Sequence, residues 1–124
     1  MKEEDKLTAA IIKAAIEVHK TLGPGLLESA YEKCLAHELT LDKFKVQRQV
    51  QLPIQYKGLE IKQGFRLDLV VNDEVIVELK SVDYILDVHK AQVLTYLQLS
   101  KYKKALLINF NVRLLKDGLK RFIL

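Results

Sequence analysis

Asp68 and the trio Glu78-Leu79-Lys80 are the residues of this chain whose types and spacing could do chemistry. Two carboxylates held close together repel, and the repulsion raises the pKa of one of them unless a cation intervenes. Their hard oxygen donors suit Mg²⁺, with Mn²⁺ able to substitute. An ammonium group beside such a pair can orient an attacking water or stabilise negative charge building on a phosphate. The plain alternative is a charge mosaic on the wet face of an edge hairpin.

The elements around these residues decide whether they meet. Gly64–Lys80 reads as two strands about a turn. Alternation puts Phe65, Leu67, Leu69 and Val71 on one face of the first strand, and Val75, Val77 and Leu79 on one face of the second. A two-residue Asn72-Asp73 turn would pair 68 with 77 and mix charge into both faces. A slip of one residue exchanges faces, so the buried side selects 71 opposite 75, 69 opposite 77 and 67 opposite 79. This register predicts a three-residue loop at 72–74, or an equivalent bulge. It sets Asp68 across from Glu78 and Arg66 across from Lys80, with Cβ atoms roughly 4.5–5.5 Å apart.

The rest of the chain supplies the scaffold. Leu7, Ile11, Ala14, Ala15, Val18 and Leu22 recur at helical spacing over 6–22, and Gly23-Pro24 ends that helix. A second helix is predicted over 26–42, burying Leu27, Ala30, Cys34, Leu35 and Leu39. Residues 45–61 read as extended, with an edge or break at Pro53 and a turn at 56–59. A third helix is predicted over 86–100 with Val93, Leu94 and Leu97 in the core. Ala105–Phe110 fits a strand buried on both faces, and 121–124 a short final strand. The order ααβββ(β)αβ predicts one α/β domain over 1–124, with a mixed central sheet flanked by helices.

Other residues add to the acidic hairpin. Glu28 and Tyr31 stand three apart and share a helix face. Glu28 also suits the positive end of a helix dipole, and Tyr31 a core aromatic position. Gln92 and Tyr96 are four apart on the third helix, with His89 on the same side. Gln92 could orient a lysine, a water or a phosphate oxygen, and Tyr96 could contact substrate; an exposed amide is the plain reading. His19, His37 and His89 lack the spacing of a zinc site and suit surface or boundary positions. Cys34 is the single cysteine, which excludes an intramolecular disulfide and points to a reducing compartment.

Composition sets the limits. The 124 residues are 49% hydrophobic and 29% charged with net charge +4, which fits one soluble globular domain compatible with a phosphate-bearing partner. No apolar run approaches the ~18 residues of a membrane span. The charged start Met1-Lys2-Glu3-Glu4-Asp5-Lys6 has no secretory-signal pattern, so a cytoplasmic location is expected.

Together these segments resemble a known family. Gly25-Leu26-Leu27-Glu28-Ser29-Ala30-Tyr31 is similar to the G-x-x-E-x-x-Y signature of the GxxExxY proteins, which are assigned to the PD-(D/E)XK nuclease superfamily. Phe65–Val71, Val77–Lys80, Ala91–Leu97 and Leu107–Phe110 follow in the same order. Leu67 stands where proline often precedes the aspartate. The resemblance implies an α-β-β-β-α-β restriction-endonuclease-like core and Mg²⁺-dependent hydrolysis of nucleic acid, DNA before RNA. It implies that Asp68, Glu78, the Leu79 carbonyl and Glu28 surround the metal and that Lys80 assists the attacking water. Gln92 and Tyr96 match a Q-x-x-x-Y element, with Tyr31, Arg66 and Tyr96 expected at substrate. A chain this small suggests a homodimer or protein partner to complete a groove. The competing reading is a binding module on the same fold without turnover.

Overall fold

A computed structural model describes residues 5–124; the charged start Met1–Glu4, read above for an export signal, lies outside the described residues. Helix α1 (Lys6–Leu22) opens on Asp5, whose carboxylate accepts the N–H groups of Leu7 and Thr8 at 3.1 and 3.2 Å. The same carboxylate accepts Lys104 Nζ at 2.6 Å, so the cap also ties α1 to the sheet. Gly23, at φ 73°, closes the helix through an N–H bond to His19 O. Helix α2 (Glu28–Leu41) follows after the Pro24-Gly25 turn.

Strands β1 (Val46–Tyr56), β2 (Leu59–Val71) and β3 (Val75–Lys80) form an antiparallel meander. Helix α3 (Asp87–Leu99) then crosses to β4 (Lys104–Asn109), which lies parallel to β3, and β5 (Leu119–Ile123) pairs antiparallel with β4. The sheet is mixed, in the order β1-β2-β3-β4-β5. Helices α1 and α2 cover one face over Leu69, Val71, Val77, Leu79, Leu106 and Ile108. Helix α3 covers the other through Val93 and Leu97, over Leu67, Val70, Ile76 and Leu107. Both faces of β3 and β4 are therefore buried, as the apolar run at 105–110 predicts. Among the described residues no helix is long and apolar enough to cross a membrane.

The loop at 72–74 forms as expected. Asn72 and Asp73, both at φ 53°, make the turn, Glu74 N–H bonds to Val71 O, and Val71 faces Val75. Asn and Asp tolerate the left-handed region better than other side chains with a Cβ. Lys57-Gly58 turns β1 into β2, and β1 is an edge strand whose register shifts at Pro53, between Leu52 and Ile54. Gly64 fills that irregularity because a Cβ there would collide with Ile54.

Several expected core positions differ. Phe65 and Leu67 do not share a face with Leu69 and Val71: they pack under α3, whereas Leu69 and Val71 pack under α1 and α2. Strand β2 changes face at Asp68. Cys34 is exposed, because α2 docks through Tyr31, Leu35 and Leu39 and turns the cysteine outward. Leu27 precedes α2 and is 77% exposed, and Leu22 and Leu94 also face outward. His19 is buried rather than at a boundary, with Nε2 2.7 Å from Val112 O.

Candidate active site

The ladder between β2 and β3 runs through Val71↔Val75, Val70↔Ile76 and Leu69↔Val77, and ends there. Strand β3 continues in register with β4 as far as Lys80↔Asn109. The expected 66–80 and 68–78 ladder pairs do not form, because β2 veers away at its change of face. Side chains close the gap instead. Asp68 N–H donates to Glu78 Oε1 at 2.9 Å, and Leu79 N–H donates to Asp68 Oδ2 at 2.9 Å. Each carboxylate thus spends one oxygen on a backbone donor across the split and keeps its second oxygen for a cation or water.

The kink has a cause on the neighbouring strand. Arg48 pairs with Leu69 and Val50 with Leu67, leaving Gln49, at φ 53°, opposite Asp68 and out of the ladder. A non-glycine residue held in the left-handed region needs support. Glu32, buried on α2, provides it: Oε2 accepts Arg48 Nε and Nη2 at 3.2 and 3.0 Å, while Oε1 accepts Gln49 Nε2. Glu32 lies one turn beyond Glu28. Sequence reasoning missed it, although a glutamate on a face shared with Tyr31 and Leu35 was a signal of a buried, partnered charge.

A cleft of about 380 Å³ opens where the strands part. It brings together Glu28, Arg66, Asp68, Glu78, Lys80, Gln92 and Tyr96, seven of the side chains that sequence analysis singled out. It adds Gln51 and Gln63, which no local pattern marked, and Phe65, which alternation assigned only to an apolar face. Phe65 stacks on Tyr96 with ring centroids 5.0 Å apart.

One expected site residue sits elsewhere. Tyr31 is fully buried, stacked on Phe110 at 4.5 Å, and its hydroxyl donates to Gly23 O at 2.5 Å while accepting Leu26 N–H at 3.1 Å. It braces the α1–α2 turn and has no surface for substrate. The Leu79 side chain lies in the core, leaving its backbone to face the site. His89 accepts Leu86 N–H through Nδ1 at 3.0 Å and so caps α3.

The electrostatics follow from burial. Glu78 is 4% exposed, and its carboxyl is pushed up to about 8, first by loss of water and then by the charge of Asp68. Burial also raises Asp68, against the Leu79 N–H that favours its ionised form. Glu28, half-buried, is raised by desolvation and then by Asp68, with Lys80 pulling the other way. The Tyr96 phenol is raised by burial and by Glu78 and Asp68.

Two buried carboxyls, one of them held protonated partly by the charge of the other, form a set that a hard divalent cation would relieve. Among the described residues no group of three or more His, Cys, Asp or Glu side chains is placed to hold an ion, so Glu28 shares the cleft without closing a three-carboxylate cage. Two carboxylates still fit Mg²⁺, which keeps several waters and binds through one or two protein carboxylates plus phosphate oxygens.

A family model described as the PD-(D/E)XK nuclease superfamily matches residues 5–122. No curated protein and no solved structure matches.

Proposed function

Since this chain belongs to the PD-(D/E)XK nuclease superfamily, we propose that the cleft between β2 and β3 hydrolyses phosphodiester bonds of DNA with Mg²⁺, for which Mn²⁺ can substitute. The observation that carries this reading is the crossed pair Asp68 and Glu78, each held by a backbone N–H across the split, with Lys80 on the same wall. The motif Gly25–Tyr31 supports the finer grouping with the GxxExxY proteins.

In this reading Asp68, Glu78 and the Leu79 carbonyl would hold the cation, with Glu28 at the edge of the same cleft. When bound, the cation polarises the scissile phosphate and lowers the pKa of water. Lys80 orients that water and places positive charge beside the phosphate as negative charge develops. Gln92 directs its amide at a phosphate oxygen, Arg66 pairs with a flanking phosphate, and Tyr96 supports the substrate from α3. The fixed N–H bonds to Asp68 and Glu78 keep both carboxylates in place, so little reorganisation accompanies the reaction.

Glu78→Gln and Lys80→Ala, with folding checked by circular dichroism, should each lower Mg²⁺-dependent cleavage by roughly 10²-fold or more. Cleavage at the wild-type rate in either variant would remove these assignments. Binding of nucleic acid by the wild type, with no products in Mg²⁺ or Mn²⁺, would favour the non-catalytic module.

A further inference from the structure

Hydrolysis alone leaves part of the cleft wall unexplained. Phe65 and Tyr96 stack there with planes 21° from parallel. Gln51 and Gln63, both exposed, reach the same space from β1 and β2. Among the described residues Arg66 and Lys80 are the cations on that wall. At about 380 Å³ the cleft has the volume of a small-ligand site. A surface that follows a duplex is broad and strongly basic, because its affinity comes from neutralising many phosphates.

We propose that the cleft takes one unpaired nucleotide of single-stranded DNA, its phosphate beside Asp68, Glu78 and Lys80, its base against Phe65 and Tyr96, and its base edge at Gln51 and Gln63. The inference rests on the nuclease reading and adds the strandedness of the substrate. Every base has a π face, so an aromatic wall holds an unstacked base with little regard to sequence. A glutamine amide offers donor and acceptor together, the complement of base edges that pairing covers in a duplex. The aromatic pair offers its surface inside the cleft, and a base stacked within a duplex has no free face to lay against it. Tyr96, Phe65, Asp68 and Glu78 line the same cleft, which puts the rings and the carboxylates around one space.

The test uses the full chain carrying Glu78→Gln, in Mn²⁺, and fluorescence anisotropy. The probes are a labelled single strand, the same strand in a duplex with both ends closed by loops, and a strand of equal length bearing abasic sites. The intact single strand should bind about 10-fold more tightly than either alternative. Adding Gln63→Ala, at an exposed position that leaves the core untouched, should weaken single-strand binding and leave closed-duplex binding unchanged. Equal affinity for the abasic strand, or for the closed duplex, would overturn the proposal. Failure of the wild type with Mn²⁺ to cut any strand would remove the nuclease reading, while the binding preference would still decide the base site.

Discussion

Asp68 and Glu78 are the residues on which the proposed chemistry turns, and their surroundings define what the metal-free protein must do with protons. Glu78 keeps its proton up to about 8, because burial and the Asp68 charge both oppose ionisation. A cation between the carboxylates reverses that balance and needs both ionised. Mn²⁺ uptake at pH 7 should therefore release about one proton per ion, read by calorimetry in buffers of different ionisation enthalpy. Binding without proton release would mean that the ion does not engage Glu78. Tyr31 belongs to the same scale with the opposite outcome. Its hydroxyl satisfies Gly23 O and Leu26 N–H inside the fold, so Tyr31→Phe should cost about 1–2 kcal/mol in chemical denaturation and leave KM for nucleic acid unchanged. A raised KM at unaltered stability would return Tyr31 to the substrate.

At the scale of elements, the site exists because β2 leaves β3, and that departure is fixed from β1 and α2. Glu32 grips Arg48 and Gln49 at the point where both strands change face. Arg48→Ala leaves a buried carboxylate short of its cation, and it should cost about 2 kcal/mol, less than a fully buried pair because Arg48 is itself partly exposed. Cation affinity should fall with it, since Asp68 sits opposite the loosened Gln49; retained affinity in the destabilised variant would show that the clamp serves stability alone. The same elements show what a linear pattern can carry. The 71–75 register was legible because one slip would have buried charge, and the two-sided burial of β4 because Ala105–Ile108 are apolar without a break. The switch of face at Asp68 was not, since it depends on one left-handed residue on another strand and on a glutamate from a helix. Cys34 and Leu35 could not be ordered for a related reason: the phase of α2 is set by Tyr31 docking on Phe110, a contact across most of the chain. The meeting of Asp68, Glu78 and Lys80 in one cleft was readable because they lie within one hairpin. Gln51, Gln63 and Phe65 reach the cleft only through a twist that no spacing records.

At the scale of the whole molecule, the centre of the sheet is buried on both sides, and the charged cleft is placed where β2 stops pairing with β3. Such a design sets site chemistry against stability, and pH exposes the conflict. An unfolded glutamate loses its proton near 4.5, whereas folded Glu78 holds it to about 8, so between those values the folded state binds more protons. Stability of the metal-free protein should then fall as pH rises through that interval, by on the order of 5 kcal/mol from this group. Asp5 acts in the other direction. The Lys104 ammonium holds its carboxyl at about 2, below the ordinary 3.8, so its contribution is present above that range and is lost as pH drops through it. Lying partly in solvent, that pair gives the weaker of the two limbs. Melting temperature measured in EDTA should therefore peak near pH 4.5 and decline towards pH 8. Glu78→Gln should flatten the decline and leave the acid limb as it was, because Asp5 lies at the far end of β4 from Glu78's gap. Saturating Mn²⁺ should raise the melting temperature most at the alkaline end, where the cation gains two ionised carboxylates without first displacing a proton. A metal-free melting temperature that holds level or climbs from pH 4.5 to 8 would mean that Glu78 ionises at its ordinary value, and the strained acidic pair on which cation binding depends would not exist.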